Sequence, residues 1–200
     1  MSATSQRDLA CKAAKTDPDR ALRLARVIED PWFRCQALAW TARFGAERRV
    51  VPVAREALAA AQGSEDAYRR AAAMAWPIRA LLERGQSPDA LQALAIAVAE
   101  SRAIPNATNR LDALLLIWEA VWPAGKDIHR RMLSEALAAA REGWSPKAAG
   151  ILKRAALYLA EPHPDLAREL VAAVPHERWS EVVERGIARG DRLYPRSFFW

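Results

Sequence analysis

The chain has 200 residues, which suits a single domain with a sizeable buried core. Its 52% apolar and 27% charged residues exclude a disordered chain, and two cysteines, Cys11 and Cys35, exclude a disulfide framework. A net charge of +6 favours acidic partners: nucleic acid, anionic lipid or an acidic protein face.

Strong helix formers dominate, while turn glycines and β-branched residues are scarce, so an all-α fold is expected. Residues 1–15 are polar, with no apolar stretch of the kind a signal peptide carries, and no run reaches 18 apolar residues. A cytoplasmic protein with no membrane partner is the expectation, its two cysteines buried and reduced. Residues 5–15 read as a lone helix capping the N-terminal end.

From residue 16 the chain repeats itself. Segments 17–25, 87–95 and 163–171 each open on Asp, Ser or His followed by Pro and Asp. That is a helix start with a cap and a first-turn proline, His163 being the poorest cap. Two further segments share the string Glu-Ala-Leu-Ala-Ala-Ala, at 56–61 and 135–140. Overlaid, the five bring Leu24, Leu58, Leu94, Leu137 and Leu170 to one position, at spacings of 34, 36, 43 and 33 residues. This is the period of a two-helix repeat.

The second helix of each unit opens after Asp30, Asp66 and Asn106, residues suited to accept the free amides of a first turn. Phe33, Ala37, Trp40 and Phe44 form its buried stripe, and Trp40 and Trp76 are equivalent core positions. Pro77, inside such a helix, predicts a bend. Five hairpins over 16–190 and the capping helix give eleven helices, with an aromatic tail over 191–200. That tail, Arg192 to Trp200, is expected to fold back over the last hairpin.

The repeats resemble those of the tetratricopeptide-like and HEAT-like α-solenoid superfamily. The resemblance implies a right-handed α-α superhelix whose groove binds a protein or peptide.

The motifs of catalysis are missing: no phosphate loop, no Gly-x-Ser-x-Gly, no His-Glu-x-x-His. Glu161, His163 and Asp165 lie close in sequence, but one histidine between two prolines is a poor metal set. No enzyme activity, metal or cofactor is expected. The candidate binding residues are Arg34, Arg70, Arg110 and Lys147, which align across four repeats, and Trp32 at a helix start. As a ladder they would meet an acidic peptide or a phosphate backbone; paired with Asp30 and Asp66, they would only steady their own helices. The leading reading is a non-enzymatic protein- or peptide-binding module, and the alternative is a nucleic-acid binder using the ladder. A third reading follows a resemblance in size, basicity and tryptophan content to HEAT-like DNA glycosylases. Such an enzyme needs a carboxylate among aromatics, for which Asp112 and Glu119 beside Trp118 are the candidates.

Overall fold

The computed structural model describes residues 1–173, 177–190 and 193–199. Arg192 and Trp200, named above as the ends of the aromatic tail, lie outside the described residues, as do His176 and the side chain of Trp179. Among the described residues every regular element is an α-helix, and none is long and apolar enough to cross a membrane. The chain divides into two compact units, one of residues 1–103 with Phe198 and Phe199, the other of 104–197.

The first unit holds α1 (Ala3–Ala14), α2 (Pro18–Arg26), α3 (Pro31–Phe44), α4 (Glu47–Gln62), α5 (Ala67–Ala73), α6 (Ala75–Glu83) and α7 (Ser87–Ser101). The side chains of Asp17, Asp30 and Asp66 accept first-turn amides of α2, α3 and α5, as the sequence leads one to expect. α7 differs by one residue: Ser87 lies inside the helix and Gln86 is its cap. α6 ends on Gly85 at φ 71°, with Gln86 N–H bonded to Leu81 O and Gly85 N–H to Leu82 O, a turn that favours glycine. α3 is the hub of the unit, packed on α1, α2, α4 and α6.

The second helix of the second hairpin is broken. Proline at 77 has no amide to give Ala73, and the chain parts at Met74 into α5 and α6. The expected bend is therefore a break, and it turns eleven expected helices into twelve among the described residues.

The five overlaid leucines are not equally buried. In α2 it is Leu22 that is buried, with Leu24 half-buried. In α4, Ala57 is buried and Leu58 half-buried. Neighbouring helix positions differ by about 100°, so a slip of one or two residues moves a side chain off the core face. Leu94 and Leu170 are fully inside.

The second unit holds α8 (Ala107–Ala120), α9 (Lys126–Glu142), α10 (Pro146–Leu159), α11 (Pro164–Ala172) and α12 (Glu177–Ala188). α8 packs on α9 and α10, and α10 on α11 and α12. Asn106 and Ser145 cap α8 and α10, while His163 caps α11 without a side-chain bond. A Cβ on Gly143 would sit 2.7 Å from that of Ala107, so glycine permits the close approach between the end of α9 and the start of α8.

Candidate functional site

Each of the three aligned arginines stands four residues past its cap, and each reaches back to a loop carbonyl. Arg34 donates to Ile28 O at 3.3 Å, Arg70 to Ser64 O at 3.0 Å and Glu65 O at 2.7 Å, and Arg110 to Ile104 O at 3.2 Å. Arg70 also meets Glu100 at 3.1 Å, and Arg110 meets Glu142 at 2.7 Å, each carboxylate at or near the end of a neighbouring first helix. The guanidiniums of Arg70 and Arg110 thus tie a hairpin's loop to another helix of their own unit, while that of Arg34 holds its loop. The pairings expected from sequence are different in the structure. Asp66 is a cap and Arg70 takes Glu100; Asp30 is a cap whose ion-pair partner is Arg69, at 3.0 Å. The Arg69 side chain spans to the preceding hairpin because a cap carboxylate, held at the helix end, has an oxygen face to spare.

Lys147 does not belong to the series. The cap of α10 is Ser145, so the residue four past it is Ala149, which is buried, whereas Lys147 is exposed two residues earlier. Trp32 is half-buried, edge-on to Trp76 at 5.6 Å, with the Arg69 guanidinium 5.9 Å from its ring. It closes the side of a hairpin.

In the first unit several further rings gather about Trp40 and Trp76. Trp40, ten residues past the cap of α3, and Trp76, in α6 but ten residues past the cap of α5, are both buried. Phe198 lies edge-on to Trp76 at 5.4 Å and Phe199 edge-on to Trp40 at 5.5 Å. The two phenylalanines are thus not laid over the last hairpin, α11 and α12, although Leu193, Tyr194 and Pro195 line a cavity with Ile187 of α12. Phe198 and Phe199 lie in the first unit, where two buried indole faces offer more apolar contact. Phe44 stacks on Trp40 from the same helix, and Lys15 stands over the Trp40 ring.

Two grooves run beside α4. The one toward α2, about 510 Å³, has Leu22, Pro52 and Val53 as its floor and Arg23, Arg26 and Arg49 along its edges. Glu56 pairs with Arg26 at 2.7 Å and Asp19 pairs with Arg49. The groove toward α7, about 240 Å³, includes Val51, Leu58 and Ile96, with Arg55 paired to Asp89 at 3.0 Å. Arg23 forms no ion pair among the described residues, so the two linings, with Arg23, Arg26, Arg49 and Arg55 against Asp19, Glu56 and Asp89, keep a small positive excess.

In the second unit Glu119 is buried, and both its oxygens are taken. Tyr158 donates to Oε1 at 2.8 Å, Arg154 stands 3.7 Å from the same atom, and Arg196 pairs with Oε2. Burial, followed by the Glu119 carboxylate, pushes the Tyr158 phenol up to about 12. Beside it Trp118 donates to Nδ1 of buried His129 at 2.9 Å. Burial, then the neighbouring His163, bring His129 down to about 4, so it is neutral at ordinary pH and accepts that bond. A cavity of about 510 Å³ opens nearby, with Trp122, Tyr158 and Tyr194 among its walls. Asp165, read as part of a metal set, is paired with Lys126 at 2.8 Å, and His163 packs against His129.

Comparisons with protein-family models and with curated proteins give no match. The chain is similar to one solved structure, that of Ton1535 from Thermococcus onnurineus NA1. The two share 16% identity at a TM-score of 0.63, over 94% of this chain and 58% of that one. At that identity the likeness concerns the fold alone, and this chain spans less than two thirds of the other.

Sequence reasoning missed the seat of Phe198 and Phe199 and the partners of Glu119. The signal available was chemical. Three consecutive aromatics and a carboxylate amid the apolar run 113–121 both require partners that their neighbours in sequence do not supply.

Proposed function

We propose that this chain is a non-enzymatic binding module that takes an acidic, partly apolar peptide or protein segment on the face made by α2, α4 and α7. The finer architecture that goes with this reading is a right-handed α-solenoid of hairpins, of the tetratricopeptide-like or HEAT-like kind, in a cytoplasmic setting.

One observation carries it. Val51, Leu58 and Ile96 stay half-buried or exposed in the groove between α4 and α7, and Arg23, on the edge of the neighbouring groove between α2 and α4, forms no ion pair among the described residues. Apolar side chains left in a groove favour a ligand that covers them, and unneutralised guanidiniums favour a carboxylate-bearing one. The nucleic-acid alternative is weakened because the arginines it relied on, Arg34, Arg70 and Arg110, are already held by carbonyls or carboxylates. The buried Glu119, considered above for glycosylase chemistry, has its oxygens occupied in the same way.

The test titrates two fluorescent probes at two salt concentrations: a peptide of alternating glutamate and leucine, and a DNA duplex. The peptide is expected to bind, and the R23E/R26E variant to bind it at least tenfold more weakly. Failure of the peptide to bind, or duplex binding that is tighter and steeply salt-dependent, overturns the reading.

A further inference from the structure

The cleft between Trp40 and Trp76 has the form of a recognition site rather than of an ordinary core. Its two indoles come from the same position of successive hairpins, ten residues past Asp30 and ten past Asp66. Each meets one ring of a consecutive pair, Phe198 on Trp76 at an interplanar angle of 77° and Phe199 on Trp40 at 83°. Phe198 is 2% exposed, yet the residues that deliver it are outside any helix, and Leu193 and Tyr194 are 42% and 73% exposed. Most of the unit's core is built from helix faces, whereas these two rings reach it from the non-helical segment 193–199.

A second observation points the same way. The indole N–H of Trp76 is buried and donates to no described residue. A buried donor of this kind is costly unless an acceptor arrives, and the main-chain carbonyl of an extended peptide is such an acceptor. The resident Phe198 covers the ring without satisfying the N–H.

We propose that the Trp40–Trp76 cleft is a binding site for an extended peptide segment bearing two adjacent aromatic residues, and that Phe198 and Phe199 occupy it in cis as a displaceable plug. The site is separate from the α2–α4–α7 face, and neither proposal depends on the other. Edge-to-face packing on two indoles supplies the affinity, and the spacing of the repeat sets the requirement for neighbouring rings. Because the cis segment sits at high effective concentration, an external peptide binds weakly until the plug is removed.

The test uses a labelled peptide carrying residues 193–200 and fluorescence anisotropy. The full chain is expected to bind it weakly, and the F198A/F199A variant at least tenfold more tightly. A peptide with both phenylalanines replaced by alanine is expected to bind neither. A folded variant, as judged by circular dichroism, that does not bind the peptide overturns the proposal, as does equal binding by the full chain. Should the variant fail to fold, a protease site placed at Ser197 allows the folded full chain to be cut afterwards. Exchange of the released fragment for labelled peptide supports the plug; a fragment that never exchanges, or a cut that unfolds the chain, shows that these rings are fixed core. Sizing of the full chain completes the set, since a dimer whose tails are exchanged between copies overturns the occupancy in cis.

Discussion

The thiol of Cys35 donates to the carbonyl oxygen of Ala73 at 3.3 Å. Ala73 lies four residues before Pro77, so it is the acceptor that the missing proline amide leaves without its helical bond. The broken helix and the buried cysteine are thus two halves of one arrangement, joining α3 to the end of α5.

Removing the thiol by C35A is expected to lower stability by about 1–2 kcal/mol, the range for a buried carbonyl that loses its donor. P77A supplies a helical amide to the same carbonyl, so in its background the C35A loss should shrink by at least half. Urea unfolding of the four variants checks this; equal losses in both backgrounds would mean that the bond and the proline are unrelated. Burial raises the thiol of Cys35 well above its usual range and pushes that of Cys11 up to about 12. Both should therefore resist thiol reagents at pH 8 until the chain is unfolded.

Arg70 holds two carbonyls and Glu100, so R70Q removes several bonds at a half-buried site. A loss of about 1–3 kcal/mol is expected, from stranded carbonyls more than from the ion pair itself. R23Q, on an arginine with no partner among the described residues, should change stability by less than about 0.5 kcal/mol. Thermal unfolding of the two variants side by side separates them.

His129 sets a pH dependence. Its value is about 4 in the folded chain against an ordinary 6.5, so the unfolded chain binds the proton more readily between those values. Its contribution is fully present above pH 6.5 and is lost as the pH falls toward 4, by an amount on the order of 2–3 kcal/mol. The H129Q variant, whose amide oxygen still accepts from Trp118, should lose this slope. Denaturant unfolding at pH 7.5 and pH 5 measures it, and identical slopes for the two proteins would assign the effect elsewhere.

Leu94 is fully buried at the centre of α7. Its replacement by alanine should cost about 2–5 kcal/mol through lost apolar contact and the cavity left behind. A calorimetric melt that is unchanged would show that the face of α7 carrying Leu94 is not the core face.

The sequence by itself determined the helices, their starts and their pairing into hairpins. Asp17, Asp30, Asp66 and Asn106 act as caps because a cap bonds amides two or three residues away, an interaction that the local sequence fully contains. Proline's effect at position 77 was legible for the same reason, although its severity was not, since Cys35 lies 38 residues from Ala73. Only the tertiary structure decided the rest. Arg70 and Arg110 chose carboxylates 30 and 32 residues away over nearer ones, because helix packing brings those ends together. Leu22 rather than Leu24 turned inward, because a helix's rotation about its axis is set by its neighbours and not by its own repeat. Phe198 and Phe199 found Trp76 and Trp40 because apolar burial is non-directional and takes the best available surface, however far along the chain it lies.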